Sequence, residues 1–392
     1  MTGLALGVLA GSALLVAYTY AGYPLLLMAL AALRRRYAAP PPPEEWPRVS
    51  ITIPAYNEAD SIGGTLEQIL AIDYPPERRQ VLVVSDASTD GTDQVVRGYA
   101  DRGVELLRVE RRGGKTAAEN AARGHLRGDI IVNTDASVRI RRDALKPLVA
   151  ALADPEVGVA SGRDVSVARL EDTANVGESG YVGYEMWVRR LETGVLGIVG
   201  ASGCFYAIRA HLHATPVPDA LSRDFAAALI ARQHGLRAVS VDQAVCYVPR
   251  TSSLKAEYRR KVRTMARGME TLAYMRRLLN PVRYDVFAWM LVSHKVCRWL
   301  VPWALAAALL ALTALAPSSR WAAGLSGAAA LILLLAAAGW LWPQGRSVPR
   351  LLALPAFLVA GNLAAMHAAF QALRRESSPL WEPTRRGAVE TK

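Results

Sequence analysis

The stretch Gln80-Val81-Leu82-Val83-Val84-Ser85-Asp86-Ala87-Ser88-Thr89-Asp90-Gly91-Thr92 reads as a buried strand running straight into an acidic turn. Asp90 stands where a side-chain oxygen can meet the free N–H groups of a helix beginning near Thr92. The device recurs. Arg48–Pro54 leads into Ala55-Tyr56-Asn57-Glu58, Asp129–Thr134 ends at Asp135, and Leu221-Ser222-Arg223-Asp224 opens a helical pattern. A carboxylate just past a buried strand lies at the carboxyl edge of a sheet, where open α/β sheets bind ligands. The repetition predicts a site for a polar ligand, with a metal.

Val49–Pro54, Val81–Ser85, Val104–Val109 and Ile130–Thr134 are short β-rich runs. Helical patterns separate them at Asp60–Leu70, Thr92–Tyr99 and Thr116–Leu126. This alternation predicts an α/β domain over 48–250 with a mostly parallel sheet and flanking helices. After Val157–Ser161 the pattern loosens into a helix at Tyr181–Leu191, a loop and strand over Gly200–Ile208, a helix at Arg223–Gln233 and a strand at Arg237–Val241. No Gly-x-Gly-x-x-Gly follows the first strand and there is no P-loop, which argues against a dinucleotide oxidoreductase and a Walker ATPase.

The 392 residues are 52% hydrophobic, and the excess lies at the two ends. Leu4–Leu33 carries no charge and is followed by Arg34-Arg35-Arg36. Charges that follow a long apolar run mark a transmembrane anchor (1–36) rather than a cleaved signal, with its amino terminus outside. Pro40–Pro43 lies in a stiff linker, 37–47. Trp299–Ala316 and Trp321–Trp342 are two further spans, flanked by Lys295, Arg298, Arg346 and Arg350. Leu351–Leu373 is long enough to span but holds Asn362, His367 and Gln371, and the arginines after it oppose the positive-inside rule. It either spans or lies partly in the interface, within a C-terminal membrane region of 299–373. The net charge of +12 is read as membrane flanks and phosphate sites, not nucleic-acid binding. Cys204, Cys246 and Cys297 form no metal or disulfide pattern, which fits a reducing setting.

In order, the chain carries Ile53-Pro54-Ala55-Tyr56-Asn57-Glu58, Ser85-Asp86-Ala87-Ser88-Thr89-Asp90-Gly91-Thr92, Gly114-Lys115-Thr116 with Asn120, and Asn133-Thr134-Asp135-Ala136-Ser137. Gly200-Ala201-Ser202-Gly203, Asp224 and Arg260-Lys261-Val262-Arg263-Thr264 follow. This series resembles the membrane-bound family 2 glycosyltransferases, inverting enzymes with a GT-A fold. The resemblance implies that Pro54, Ala55, Tyr56, Glu58 and Asp86 hold the nucleotide, and that Lys115 contacts the nucleotide or its phosphate. Asp135 and Ala136 match the start of the family's DXD motif, with Asp135 as ligand to Mg²⁺ or Mn²⁺. Ser137 stands where the second aspartate is usual. One carboxylate with diphosphate oxygens and waters still suits Mg²⁺. Ser202 and Gly203 belong to the substrate-binding set.

Asp224 is the candidate general base, removing the acceptor hydroxyl proton as the anomeric carbon is attacked. The neighbouring Arg223 replaces an acid common in relatives. Glu257–Ala273 reads as an amphipathic helix with Arg260, Arg263 and Arg267 on one face. Arg260 and Arg263 are expected to stabilise the leaving diphosphate. The pair Arg111-Arg112 reads as surface charge.

Residues 251–298 are expected to be interface helices, with Pro281–Cys297 leading to the span at Trp299. The tail 374–392, with Trp381–Arg386, resembles a recurrent tail that covers the site from the cytosol. Together these imply an integral protein of a bacterial plasma membrane with a cytosolic catalytic domain. Its donor would be a nucleotide-diphosphate sugar, UDP-sugars favoured, and its acceptor a hydroxyl of a lipid, lipid-linked saccharide or nascent glycan. A processive polysaccharide synthase is the nearest alternative, and Thr264 in place of the usual tryptophan counts against it. A non-catalytic nucleotide-sugar-binding membrane protein is the alternative from another class, motivated by Ser137.

Overall fold

The computed structural model describes residues 2–33, 40–167, 176–249, 253–343, 348–374 and 380. Arg34–Arg36, Arg346, Arg375 and Trp381–Arg386 lie outside the described residues. The strands are β1 (Val49–Ala55), β2 (Arg79–Asp86), β3 (Val104–Val109), β4 (Ile130–Thr134), β5 (Arg139–Ile140), β6 (Val157–Val167), β7 (Phe205–Arg209) and β8 (Arg237–Pro249). The helices of the amino-terminal half are α1 (Thr2–Ala17), α2 (Tyr23–Leu33), α3 (Ala59–Leu70), α4 (Thr92–Arg97), α5 (Lys115–Ala122), α6 (Leu145–Ala150) and α7 (Val176–Val195). The rest are α8 (Ala210–His213), α9 (Arg223–Gln233), α10 (Leu254–Tyr274), α11 (Pro281–Leu291), α12 (Cys297–Leu315), α13 (Arg320–Trp340) and α14 (Arg350–Arg374).

One mixed sheet runs β3-β2-β1-β4-β7-β6-β8-β5. Strands β1 to β4 are mutually parallel where they pair, as the alternation predicts. Strand β7 enters antiparallel between β4 and β6, with Thr134 opposite Phe205. That reversal matters for the site. The start of β7, and so the loop before it, lies at the same sheet edge as the carboxyl end of β4.

Side chains alternate across the sheet with period two. Val132, Phe205 and Ala207 face one apolar core with α3 and α6. Ile131, Tyr206 and Ile208 face a second, with α9, α11, and Tyr23 and Leu27 of α2. Tyr23 and Leu27 are fully buried, so the amino-terminal apolar helix is seated on the α/β domain.

Several boundaries move for local reasons. Strand β8 continues to Pro249 rather than ending at Val241, because a register shift against β6 between Ser161 and Arg163 carries pairing past Asp242 and Gln243. Polar residues at such an irregularity break the alternation. Helix α7 outruns Tyr181–Leu191 at both ends, its Thr193 hydroxyl donating back to Arg189 O at 2.9 Å. Helix α5 stops at Ala122 and tightens into a 3₁₀ turn.

Among the described residues, four helices are long and apolar enough to cross a membrane: Thr2–Leu33, Pro281–Ser318, Arg320–Trp340 and Arg350–Arg374. The second begins 18 residues before Trp299, because α11, kinked at Asp285 (φ 41°), passes through a π-helical turn into α12. Pro281–Cys297 leads into the apolar segment beginning near Trp299. Its Tyr284, Phe287 and Leu291 are core residues. Helix α14 packs along α10, with Ala364 and Ala368 against Val262 and Ala266. Lys261 Nζ lies 3.6 Å from the Phe357 ring centroid. His367 Nδ1 is 3.2 Å from the Tyr258 hydroxyl, so this polar residue meets a protein neighbour, as expected of one in an apolar helix.

Candidate active site

Three loops leave the carboxyl edge of β1, β2 and β4. The first two are latched together. Asn57 Oδ1 accepts from Thr89 N at 2.8 Å, and Thr92 Oγ1 accepts from Glu58 N at 2.9 Å. Asp90 accepts from Thr92 N and Ala59 N, both at 3.0 Å, so it ties the starts of α3 and α4 rather than capping one helix. Asn57 (φ 51°) and Ala87 (φ 56°) both adopt left-handed backbone. For alanine this is strained, and such strain clusters at ligand clamps. Pro54 and Ala55 are buried in β1, and only Tyr56 reaches the surface of this group. Arg112 stacks on it at 3.7 Å. Surface charge is thus the wrong description of Arg112, though Arg111 is exposed. Glu58, nearly buried, accepts from Ser61.

Asp86 is 1% exposed and accepts from two backbone donors, Gly113 N at 2.8 Å and Gly114 N at 2.8 Å. It thereby fixes the loop that delivers Lys115. Gly114 has φ 90°, a conformation suited to glycine. Lys115 Nζ donates to Asp135 Oδ1 at 2.6 Å and to Gly203 O at 2.7 Å. Burial alone lowers the Lys115 pKa, but Asp135, Glu119 and Asp224 outweigh it and raise it.

Asp224 lies in the first turn of α9 and accepts from Ser222 Oγ at 2.5 Å. A Cβ on Gly203 would stand 2.5 Å from Asp224 Oδ2 and 3.6 Å from Lys115 Nζ. Thus Lys115, Asp135, Gly203 and Asp224, from four separate segments, converge on one point. Arg223 turns the other way: its guanidinium donates to Asn120 Oδ1 at 2.6 Å and to His213 O. Asn120 in turn donates to Val217 O and Asp219, so both residues hold the segment that presents Asp224.

Other expected residues sit differently. Ala136 is fully buried in the core, and its carbonyl accepts from Thr65 Oγ1 at 2.5 Å. Ser202 is buried, its hydroxyl within 2.6 and 2.8 Å of the two Asp164 oxygens. Arg260 pairs within its own helix, Nε to Glu257 Oε2 at 2.8 Å and Nη2 to Oε1 at 2.7 Å. Arg263 is half-buried one turn on.

The arginine of that helix that reaches the site's framework is Arg267. It donates to Ala220 O at 3.1 Å, Leu221 O at 2.5 Å and Thr116 Oγ1 at 2.8 Å. The spacing 260, 263, 267 places it on the same face, so the signal was in the sequence.

Two acids lie beneath the site unannounced. Glu119 is 1% exposed, and neither carboxylate oxygen has a hydrogen-bond partner among the described residues. Burial raises its pKa, against the pull of Lys115 and Arg223. Asp164 is likewise raised by burial, opposed by Arg189 and Ser202. Glu119 falls on the buried face of α5 with Thr116 and Ala122. An acid at such a position was the readable signal.

Among the described residues no three His, Cys, Asp or Glu side chains are grouped to hold a metal. Asp135 nevertheless fits the single-carboxylate arrangement. Its side chain is 24% exposed, and only Oδ1 is engaged by Lys115. The other oxygen can take a hard cation whose remaining ligands are phosphate oxygens and water.

Residues 50–192 match the family described as glycosyl transferase family 2. A beta-monoglucosyldiacylglycerol synthase from Synechocystis is 29% identical over 171 residues, 42% of this chain and 36% of that protein. An N-acetylglucosaminyltransferase from Rhizobium meliloti is 34% identical over 122 residues, 30% of this chain and 28% of that protein. The chain thus spans about a third of the length of the curated relatives it matches. A mannosyltransferase from Pyrobaculum calidifontis, solved in complex with GDP-Man and Mn²⁺, superposes with a TM-score of 0.72 at 26% identity, covering 94% of this chain and 99% of that one. The GT-A-like sheet, the converging acidic loops and these likenesses agree: residues 50–192 form a domain of glycosyl transferase family 2.

Proposed function

We propose that the protein transfers one sugar, with inversion, from a nucleotide-diphosphate sugar to a hydroxyl of a lipid, lipid-linked saccharide or nascent glycan at the cytosolic face of a membrane. The observation that carries this reading is the meeting of Lys115, Asp135 and Asp224 around Gly203. The loops after β1 and β2 hold the nucleotide. Lys115 sets its charge against the diphosphate, and Asp135 holds the divalent ion, which neutralises phosphate charge when bound. Asp224 takes the acceptor proton as the new bond forms and the nucleotide diphosphate departs. Arg263 faces the developing charge on the leaving group.

The Pyrobaculum relative was solved with GDP-Man, which places GDP-mannose beside the UDP-sugars as a donor to test. Purified full-length protein in nanodiscs, supplied with Mn²⁺ and GDP-, UDP- or TDP-sugars, should release nucleotide with one of them. Product analysis should show single additions. Long polymers would favour a processive synthase, and binding without nucleotide release would favour a sensor.

A further inference from the structure

Helix α10 touches two different parts of the molecule. On one face Tyr258, Val262, Met265, Ala266 and Met269 pack with Ala364 and Ala368 of α14. Their spacing of three and four residues puts them on one side of a helix. The same seat holds polar groups. The Tyr258 hydroxyl meets His367, and Lys261 Nζ lies over the Phe357 ring. A Cβ on Gly361 would stand 3.5 Å from that ammonium, so a side chain longer than a methyl group there would run into it.

The other face meets the segment 219–222, which turns into α9. Arg267 donates to Ala220 O and Leu221 O. It also donates to Thr116 Oγ1, whose hydroxyl donates to Leu221 O at 2.8 Å. One turn on, Thr271 Oγ1 accepts from Ser222 N at 2.9 Å and donates to Arg267 O at 2.7 Å. Its single proton is thus committed, which fixes the hydroxyl. Thr271 is fully buried. Ser222 is the residue whose hydroxyl donates to Asp224 Oδ1. Contacts therefore run from Thr271 through Ser222 to the carboxylate of Asp224.

Burial lowers the Arg267 pKa, and Asp224 and Glu119 oppose it, which sets that guanidinium within electrostatic reach of the same carboxylate. Asp224 is located from two directions: Gly203 limits its side chain, and α10 holds the backbone just before it. From Tyr258 to Thr271 the helix spans roughly 20 Å at about 1.5 Å per residue. A packed helix moves as a body, so a shift at its seat reaches its far end.

We infer that α10 is a positioning strut for Asp224, with Thr271 and Arg267 as its contacts and α14 as its seat, so that the last apolar helix sets where the base stands. This rests on the glycosyl-transfer reading and adds to it residues that touch no substrate.

The test uses the full chain in nanodiscs with the nucleotide-sugar that it turns over. Thr271→Val keeps the shape and removes the hydroxyl, while Thr271→Ser keeps the hydroxyl. Thr271→Val should lower kcat by about 10-fold or more, with the donor dissociation constant unchanged. Thr271→Ser should recover most of that loss. Hydrogen exchange at Ser222 should quicken in the valine variant and not in the serine variant. At the far end, Gly361→Leu should reproduce the loss in kcat with donor affinity intact, and Gly361→Ala should not. An unchanged kcat in Thr271→Val overturns the inference. So does an equal loss in Thr271→Ser, which would mark packing rather than the hydrogen bond, or an unchanged kcat in Gly361→Leu. The threonine pair decides the matter even if Gly361→Leu fails to fold. Wild-type protein that binds a nucleotide-sugar and releases no nucleotide would instead sink the glycosyl-transfer reading, and exchange at Ser222 would then decide the strut alone.

Discussion

The carboxylate of Asp224 fills the space that a side chain at Gly203 would take, a Cβ there landing 2.5 Å from Oδ2. Gly203→Ala should therefore displace the carboxylate without disturbing the core. Turnover should fall by roughly 10-fold or more, since misplacement of about 1 Å is costly in catalysis. Melting temperature and nucleotide affinity should hold. Initial rates and a thermal melt on the same preparation check this.

Asp224→Asn keeps shape and removes the base. The expected loss in kcat is about 10²–10⁴-fold, with the donor dissociation constant unchanged. Retained turnover would show that another group takes the proton.

Lys115→Met removes the cation between Asp135 and Gly203 O. The ion pair is four-fifths buried, so removing the cation leaves Asp135 without its partner and should cost about 1–3 kcal/mol of stability. The larger effect should fall on transfer, with kcat/KM for the donor down by about 10²-fold. Isothermal titration with the nucleoside diphosphate separates donor binding from chemistry.

Asp86→Asn sets an amide NH₂ against a backbone N–H that now donates to the carboxylate. Loss of one of its two contacts should cost about 1–3 kcal/mol and loosen the Lys115 loop. Faster hydrogen exchange at Gly113 and Gly114, with a raised donor KM, is the expected signature.

Glu119 gives a pH test with a definite sign. Its folded-state pKa is raised by burial, so the folded protein holds this proton more tightly than the unfolded chain. Its contribution is fully present below the unfolded carboxylate pKa and is lost as pH rises through the folded value. Glu119→Gln should thus be more stable than wild type at neutral pH, the gain vanishing on acidification below the ordinary carboxylate range. Melts of both proteins across pH measure it. A constant difference at every pH would refute the assignment.

The residues that could be read in advance are those tied to strand ends. Asp86 and Asp135 follow uninterrupted apolar runs, and Lys115 follows two glycines, so local pattern alone marked them. Asp224 was marked by the start of a helix. What local pattern could not supply was the antiparallel insertion of β7, because strand order is set by long-range pairing. Yet that insertion is what carries Gly203 to Asp135. Arg260 shows the reverse case: its motif position was legible, but its pairing with Glu257 one turn back was not.

Beyond the kink at Asp285, the helical path from Val286 to Ser318 begins among core side chains and ends in an apolar segment. No loop lies between Phe287 in the core and the apolar segment of α12. With that segment in a bilayer, the site would be held at a fixed height and would work like a gauge. An acceptor whose reactive hydroxyl stands at that height would be presented for reaction, while one too short or too tall would miss it whatever its chemistry.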